Sequence, residues 1–235
     1  MNTNREIVSL TNVIKNYGHS EVITKALQGI DLKINQGDFS VIMGPSGCGK
    51  STMLNIIGGL DKTTSGEVKF DGKDFNSLSN KELSIIRRNQ IGFVFQNYNL
   101  LPVLTAYENA EYVLMLQEMP VSQRKEKVMH FFKEMGLDGL ENRLPRELSG
   151  GQQQRVAIAR AVVSDPLLVL ADEITANVDS EIAQSLLLLM EKLNKINKTT
   201  FLISTHDPAV IKFAKKVIVL KDGRIDKEEL SSENI

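Results

Sequence analysis

The chain reads as an α/β protein: a mixed sheet flanked by helices, an antiparallel β part towards the N-terminal end, and a helical insertion in the middle. Three observations predict it. The β-prone run Phe39-Ser40-Val41-Ile42-Met43 leads into a glycine-rich loop and then a helix-like stretch from Lys50. Two more apolar runs, Leu167-Leu168-Val169-Leu170 and Thr200-Phe201-Leu202-Ile203, have the character of parallel strands buried on both faces. Between the loop and these runs, residues 97–150 carry a helical pattern.

In order, strands are expected over residues 7–17 and 22–34, and Asn35-Gln36-Gly37-Asp38 turns the chain into the 39–43 strand. A helix over 50–57 gives way to a loop through Gly58-Gly59 and residues 61–66. A short strand over 67–70 is closed by Asp71-Gly72. Ser79-Asn80-Lys81-Glu82 has the capping-box form and opens a helix to about residue 88, followed by a strand over 91–95. Thr105-Ala106-Tyr107-Glu108 repeats that form for a helix to about 117, which Pro120 breaks. Ser122 is the expected cap of a second helix to Met135, with Gly136 just past its end. Helices are expected over 150–163 and 179–196, and strands over 167–171, 199–204 and 216–220. Lys221-Asp222-Gly223-Arg224 is a hairpin turn, and residues 228–235 are expected to fray. The whole chain is expected to form one domain, with 1–96 and 151–235 as α/β core and 97–150 as helical subdomain.

The bulk numbers narrow the function classes. A length of 235 residues suits one domain with a sizeable core. With 28 Lys+Arg against 29 Asp+Glu, net charge −1, no basic field argues for nucleic acid. The single cysteine, Cys48, excludes an intrachain disulfide and fits a reducing compartment. No apolar run is long enough to span a bilayer, and residues 1–6 are polar and unlike a signal peptide. The expected setting is cytosolic, unless a partner holds the chain at a membrane.

Three motifs carry chemistry. Gly44-Pro45-Ser46-Gly47-Cys48-Gly49-Lys50-Ser51-Thr52 is a phosphate-binding loop between strand and helix. Its glycines let backbone N–H groups turn inward, the helix start adds donors and a positive dipole end, Lys50 reaches β- and γ-phosphates, and the Ser51 hydroxyl suits Mg²⁺. The strand ending in Asp172-Glu173 supplies a carboxylate for Mg²⁺, directly or through water, and a second one fit to polarise an attacking water. Leu148-Ser149-Gly150-Gly151-Gln152 precedes a helix and offers a second anion-grade helix start, one that suits a nucleotide held by another copy.

Together with Tyr17, Gln96, Gln153-Gln154-Arg155, Asp179 and His206, these motifs resemble the nucleotide-binding subunit of an ATP-binding cassette (ABC) transporter, over about residues 7–225. The resemblance implies a phosphate-loop NTPase core of ABC type, with ATP and Mg²⁺ as cofactors. It implies that Tyr17 stacks on adenine, that Gln96 senses Mg²⁺ and the γ-phosphate, and that His206 contacts the γ-phosphate. Read from the residues alone, a strand-end tyrosine, a loop amide and a structural histidine remain the alternatives. It implies that Ser149, Gly150, Gly151 and Gln152 meet ATP on the opposite subunit of a head-to-tail homodimer, with Asp179 at the interface; Asp179 also reads as a helix N-cap. Ile174 stands where the family usually has proline and Val178 where leucine is common; neither removes a catalytic group.

Residues 92–102 and 104–109 are similar to the branch of lipoprotein-release and macrolide or antimicrobial-peptide export, which includes a cell-division ATPase. The branch implies an integral-membrane permease partner, a peripheral location on the cytoplasmic face of the inner membrane, and no nucleic acid. Leu100, Leu101, Val103 and Tyr107 are candidates for the permease groove; the subdomain's own core is the alternative. A regulator of a membrane partner, as in cell division, is the second reading. A repair-type nucleic-acid ATPase is disfavoured, because one cysteine cannot build a four-cysteine zinc site and the gap between phosphate loop and signature is short.

Overall fold

A computed structural model describes residues 5–18, 23–176 and 178–230. Ten strands and six α-helices follow one another as β1 (Glu6–Tyr17), β2 (Thr24–Asn35), β3 (Phe39–Met43), α1 (Lys50–Ile57), β4 (Ser65–Phe70), β5 (Lys73–Asp74), α2 (Asn80–Gln90), β6 (Ile91–Val94), α3 (Ala106–Leu116), α4 (Val121–Glu134), α5 (Gly150–Val162), β7 (Leu168–Asp172), α6 (Ser180–Asn197), β8 (Thr200–Thr205), β9 (Lys216–Lys221) and β10 (Arg224–Leu230) among the described residues.

Two sheets organise the described residues. One runs β2-β1-β4-β5 and is antiparallel throughout. The other runs β10-β9-β3-β8-β7-β6; β3, β6, β7, β8 and β9 are parallel and β10 closes the edge antiparallel, so it is mixed. β3, β7 and β8 bury almost every residue, as helices on both faces require of a parallel sheet. Apolar side chains form two clusters. One joins the antiparallel sheet to α1, α2 and one face of the mixed sheet. The other joins the opposite face of the mixed sheet to α3, α4, α5 and α6. The phosphate loop lies between β3 and α1, on the side of the first cluster.

Helix starts follow their sequence signals. Ser79 and Thr105 close reciprocal capping boxes with Glu82 and Glu108, and Gly136 takes φ 62° just past α4. Three expectations need correction. Ser122 lies inside α4; Pro120 is its N-cap, because a residue without N–H loses nothing there and its carbonyl accepts from Arg124 at 3.0 Å. Residues 228–230 do not fray: Glu228 pairs with Ile218 across β9, and its carboxylate meets Lys216 at 2.5 Å. The stretch 61–66 is loop only as far as Thr64, because Ser65 already pairs with Ile14. The expected strand start at residue 22, the remainder of the fraying tail (231–235) and residues 1–4 lie outside the described residues.

Candidate active site

The phosphate loop is held by close backbone approaches. A Cβ at Gly49 meets the Ala26 carbonyl oxygen at 2.5 Å, and Gly49 has φ 110°. A Cβ at Gly44 meets the Leu220 carbonyl oxygen at 2.1 Å. Only glycine fits either place. Cys48 is buried under this turn, its carbonyl accepts from the Gly223 amide at 3.0 Å, and burial pushes its thiol pKa up. It packs the loop and carries no reactive character.

Lys50 opens α1 with its side chain 6% exposed. Its Nζ donates to the carbonyls of Gly44 (2.8 Å) and Pro45 (3.2 Å) and lies 3.3 Å from Glu173 Oε1. An ammonium has three protons, so all three have a partner, and the burial of this charge is tolerated. Glu173 is the second residue of the pair. It follows β7 at φ 49°, a left-handed conformation that costs about 1–3 kcal/mol for a residue with a Cβ. Its amide donates to the Ser204 carbonyl at 3.0 Å, which pins the strained turn to β8. The other carboxylate oxygen lies 2.9 Å from His206 Nδ1. A carboxylate only accepts, so this bond places the proton on Nδ1. Asp172 accepts from the Ser204 hydroxyl.

Lys50, Glu173 and His206 share one cleft of about 680 Å³. The phosphate loop and first turn of α1 (Pro45, Ser46, Gly47, Gly49, Lys50, Ser51, Thr52) form its floor, Tyr17 with Thr24, Lys25 and Ala26 one end, and Gln96, Glu173 and His206 the other. Tyr17 is 40% exposed, and its hydroxyl donates to Asp61 Oδ2 at 2.7 Å.

The structure does not bring every expected residue there. Asp172, Gly44 and Cys48, and likewise Ser149, Gly150, Gly151, Gln152 and Asp179, are not among the residues that line the cleft. Ser149 and Gln152 close a capping box at the start of α5: the Gln152 amide donates to Ser149 Oγ at 3.3 Å, and the Ser149 amide to Gln152 Oε1 at 2.9 Å. Gly151 gives room to Ile182 of α6, whose side chain stands 2.8 Å from the place of a Cβ. Asp179 caps α6 through the Ile182 amide at 2.9 Å.

Sequence reasoning missed the residues that hold the Gln96 loop. Buried Asn109 accepts from the Leu101 amide at 2.7 Å and donates to the carbonyls of Leu101, Leu104 and Thr105. Arg160 of α5 donates to the carbonyls of Tyr98 (2.8 Å) and Asn99 (2.6 Å), two residues at positive φ, and its burial lowers its pKa. The only signal for either is a polar side chain on the core side of a helical pattern. Of the four groove candidates, Leu100 and Tyr107 lean on the core cluster, while Leu101 and Val103 (82% exposed) face outward. A second groove of about 350 Å³ is lined by Leu60, Arg88, Phe93, Phe95, Val113 and Leu116 among others, and by none of the four candidates.

The family model described as ABC transporter matches residues 27–176. The chain is 46% identical to an uncharacterised ABC transporter ATP-binding protein, MJ0796, of Methanocaldococcus jannaschii, over 95% of this chain and 97% of that one. It is 41% identical to the lipoprotein-releasing system ATP-binding protein LolD of Blochmanniella floridana, over 93% of each. A solved dimeric structure of MJ0796, described as a post-hydrolysis state bound to ADP and Pi, superposes with a TM-score of 0.90 over 95% of this chain and 98% of that one. With a phosphate loop, a carboxylate and a histidine converging on one cleft of an α/β cassette, the chain belongs to the ABC transporter family and is an ATP-binding, ATP-hydrolysing cassette.

Proposed function

We propose that the chain is the ATPase subunit of a membrane transporter of export or lipoprotein-extruding type, and that it works as a head-to-tail homodimer with two ATP molecules at the interface. One observation carries the reading. The cleft gathers the phosphate loop, Gln96, Glu173, His206 and Tyr17, yet the anion-grade helix start at Ser149–Gly151 of the same chain lies outside it. A second copy supplies that element if the two chains face each other.

In this reading the triphosphate lies over the first turn of α1, and Lys50 exchanges part of its present bonding for β- and γ-phosphate oxygens. That exchange releases one oxygen of Glu173, which then takes the proton of the attacking water as general base. His206 holds the other oxygen and keeps the carboxylate aimed, and Tyr17 receives the adenine ring. Ser51, Asp172 and Gln96 are the residues to hold Mg²⁺, which when bound neutralises phosphate charge. The donor set fits. Among the described residues no three His, Cys, Asp or Glu converge as a cage, and Mg²⁺ prefers one or two protein oxygens together with phosphate oxygens and waters.

No helix among the described residues is long and apolar enough to cross a membrane. The proposal includes an integral-membrane permease, with the chain peripheral on the cytoplasmic face of the inner membrane, and a division into α/β core (1–96, 151–235) and helical subdomain (97–150); the relatives named as transporter ATP-binding proteins support the permease. The groove beside Phe93, Phe95 and Leu116 suits a cytoplasmic helix of that permease. Gentle affinity purification from native membranes tests this. Recovery of a permease with a large external domain supports it, and recovery of only soluble or nucleic-acid partners overturns it.

A further inference from the structure

Tyr17 is not held by the strand that carries it alone. Its hydroxyl donates to Asp61 Oδ2 at 2.7 Å, across 44 residues of sequence. The other oxygen of Asp61 accepts from Lys15 Nζ at 2.7 Å, and Lys15 also donates to the Lys62 carbonyl at 2.8 Å. The same Nζ sits 4.6 Å from the centre of the Tyr17 ring. Lys15 and Tyr17 are two apart on β1 and so share one side of the strand. Burial, and then the Asp61 contact, raise the pKa of Tyr17, so its proton stays available to donate.

These contacts constrain the ring in two ways. A phenol anchored at its oxygen loses the freedom to swing about its side-chain bonds, so an incoming base does not have to order it. A cation over one face of an aromatic ring is drawn to that face and leaves the other for stacking. We propose that Asp61 and Lys15 are positioning residues that fix Tyr17 as a one-sided platform for the adenine base. The inference rests on the reading of Tyr17 as the adenine contact, and it assigns the discrimination for a base to a triad that spans β1 and the α1–β4 loop.

The test measures ATP and inorganic tripolyphosphate binding, and KM and kcat for hydrolysis, in Tyr17→Ala, Asp61→Ala, Asp61→Asn and the double variant Tyr17→Ala/Asp61→Ala. Asp61→Ala is expected to weaken ATP binding about three- to tenfold, the range of one lost hydrogen bond. It should raise KM more than it lowers kcat, and leave tripolyphosphate, which has no base, unchanged. Asp61→Asn keeps an acceptor for the phenol and should recover part of the loss. The double variant should bind ATP no worse than Tyr17→Ala alone. If Asp61→Ala weakens tripolyphosphate equally, or weakens ATP further in the Tyr17→Ala background, Asp61 acts on the loop and the inference fails while the adenine reading stands. If Tyr17→Ala itself leaves ATP binding unchanged, the adenine reading fails and takes the inference with it.

Discussion

Helices α1 and α5 both begin among glycines, and both starts are anion-grade. α1 follows Gly49 with no side-chain cap, and its first turn faces a cleft with Lys50, Glu173 and His206 around it. α5 follows Ser149 with a full capping box, its amide-to-hydroxyl bond long at 3.3 Å, and no member of that turn reaches the cleft. An uncapped start leaves backbone donors for a ligand, and a capped one satisfies them locally until something better competes. The contrast supports an asymmetric division of labour. In the proposed reading one turn serves the chain's own nucleotide, and the other, stable by itself, serves a nucleotide brought by a second copy.

The largest effects should come from the α1 side. Lys50→Ala removes a buried charge from the phosphate floor. Hydrolysis, followed as phosphate release, should fall by about a hundredfold or more, as for loss of a preorganised electrostatic group; near-normal turnover would mean the loop does not hold phosphates. Glu173→Gln removes the proposed base and should cost about 10²–10⁴-fold in kcat while ATP binding persists. A variant that loses binding and turnover together would point to Glu173 as a structural partner of Lys50.

Changes on the α5 side should be smaller in stability. Gly151→Val sets a side chain against Ile182, and overpacking of about 1–3 kcal/mol lowers Tm by about 2–12 °C in a thermal melt. Ser149→Ala should cost about 1 kcal/mol of cap, a Tm loss of about 2–4 °C. Hydrolysis in Ser149→Ala should fall by more than that loss of stability explains; turnover that follows Tm alone would make Ser149 a cap and nothing else.

The smallest effect concerns pH. Asp61 is partly buried, which works to raise its pKa, but the bonds from Lys15 and Tyr17 outweigh this and hold the carboxyl below its ordinary value. Its contribution is therefore full at neutral pH and fades as acid takes pH down through the carboxylate range. Asp61→Asn should flatten part of the acid limb of a stability–pH profile and leave the neutral region parallel to the parent. An unchanged acid limb would mean the pair adds nothing to folding.

Features written in contiguous residues were legible in the sequence. The phosphate loop, the Asp172-Glu173 strand end, and the Ser79 and Thr105 caps each fit within a few positions, so local chemistry specifies them. The four-residue pattern Ser149-Gly-Gly-Gln152 was legible as a helix start but not as a closed capping box, although serine and glutamine three apart carry that signal too. Long-range fastenings were not legible. Arg160 reaches carbonyls 61 and 62 residues away, and Asp61 finds Tyr17 across 44; neither separation has a periodicity to betray it. The α4 start was misplaced because Ser122 is a strong cap by type, while Pro120 wins by position. The β10 edge was missed because its residues are mostly exposed and charged, and its pairing with β9 decides it rather than its own apolar content.

The central claim, that one chain holds half of each ATP site, is tested most directly by the solution mass of Glu173→Gln with saturating ATP, measured by light scattering after size-exclusion chromatography. The split site predicts a shift from the 26.2 kDa of one chain to twice that mass on ATP addition, with no shift when Lys50→Ala is added to the same chain. A protein that binds ATP stoichiometrically and remains at the mass of one chain would contradict it.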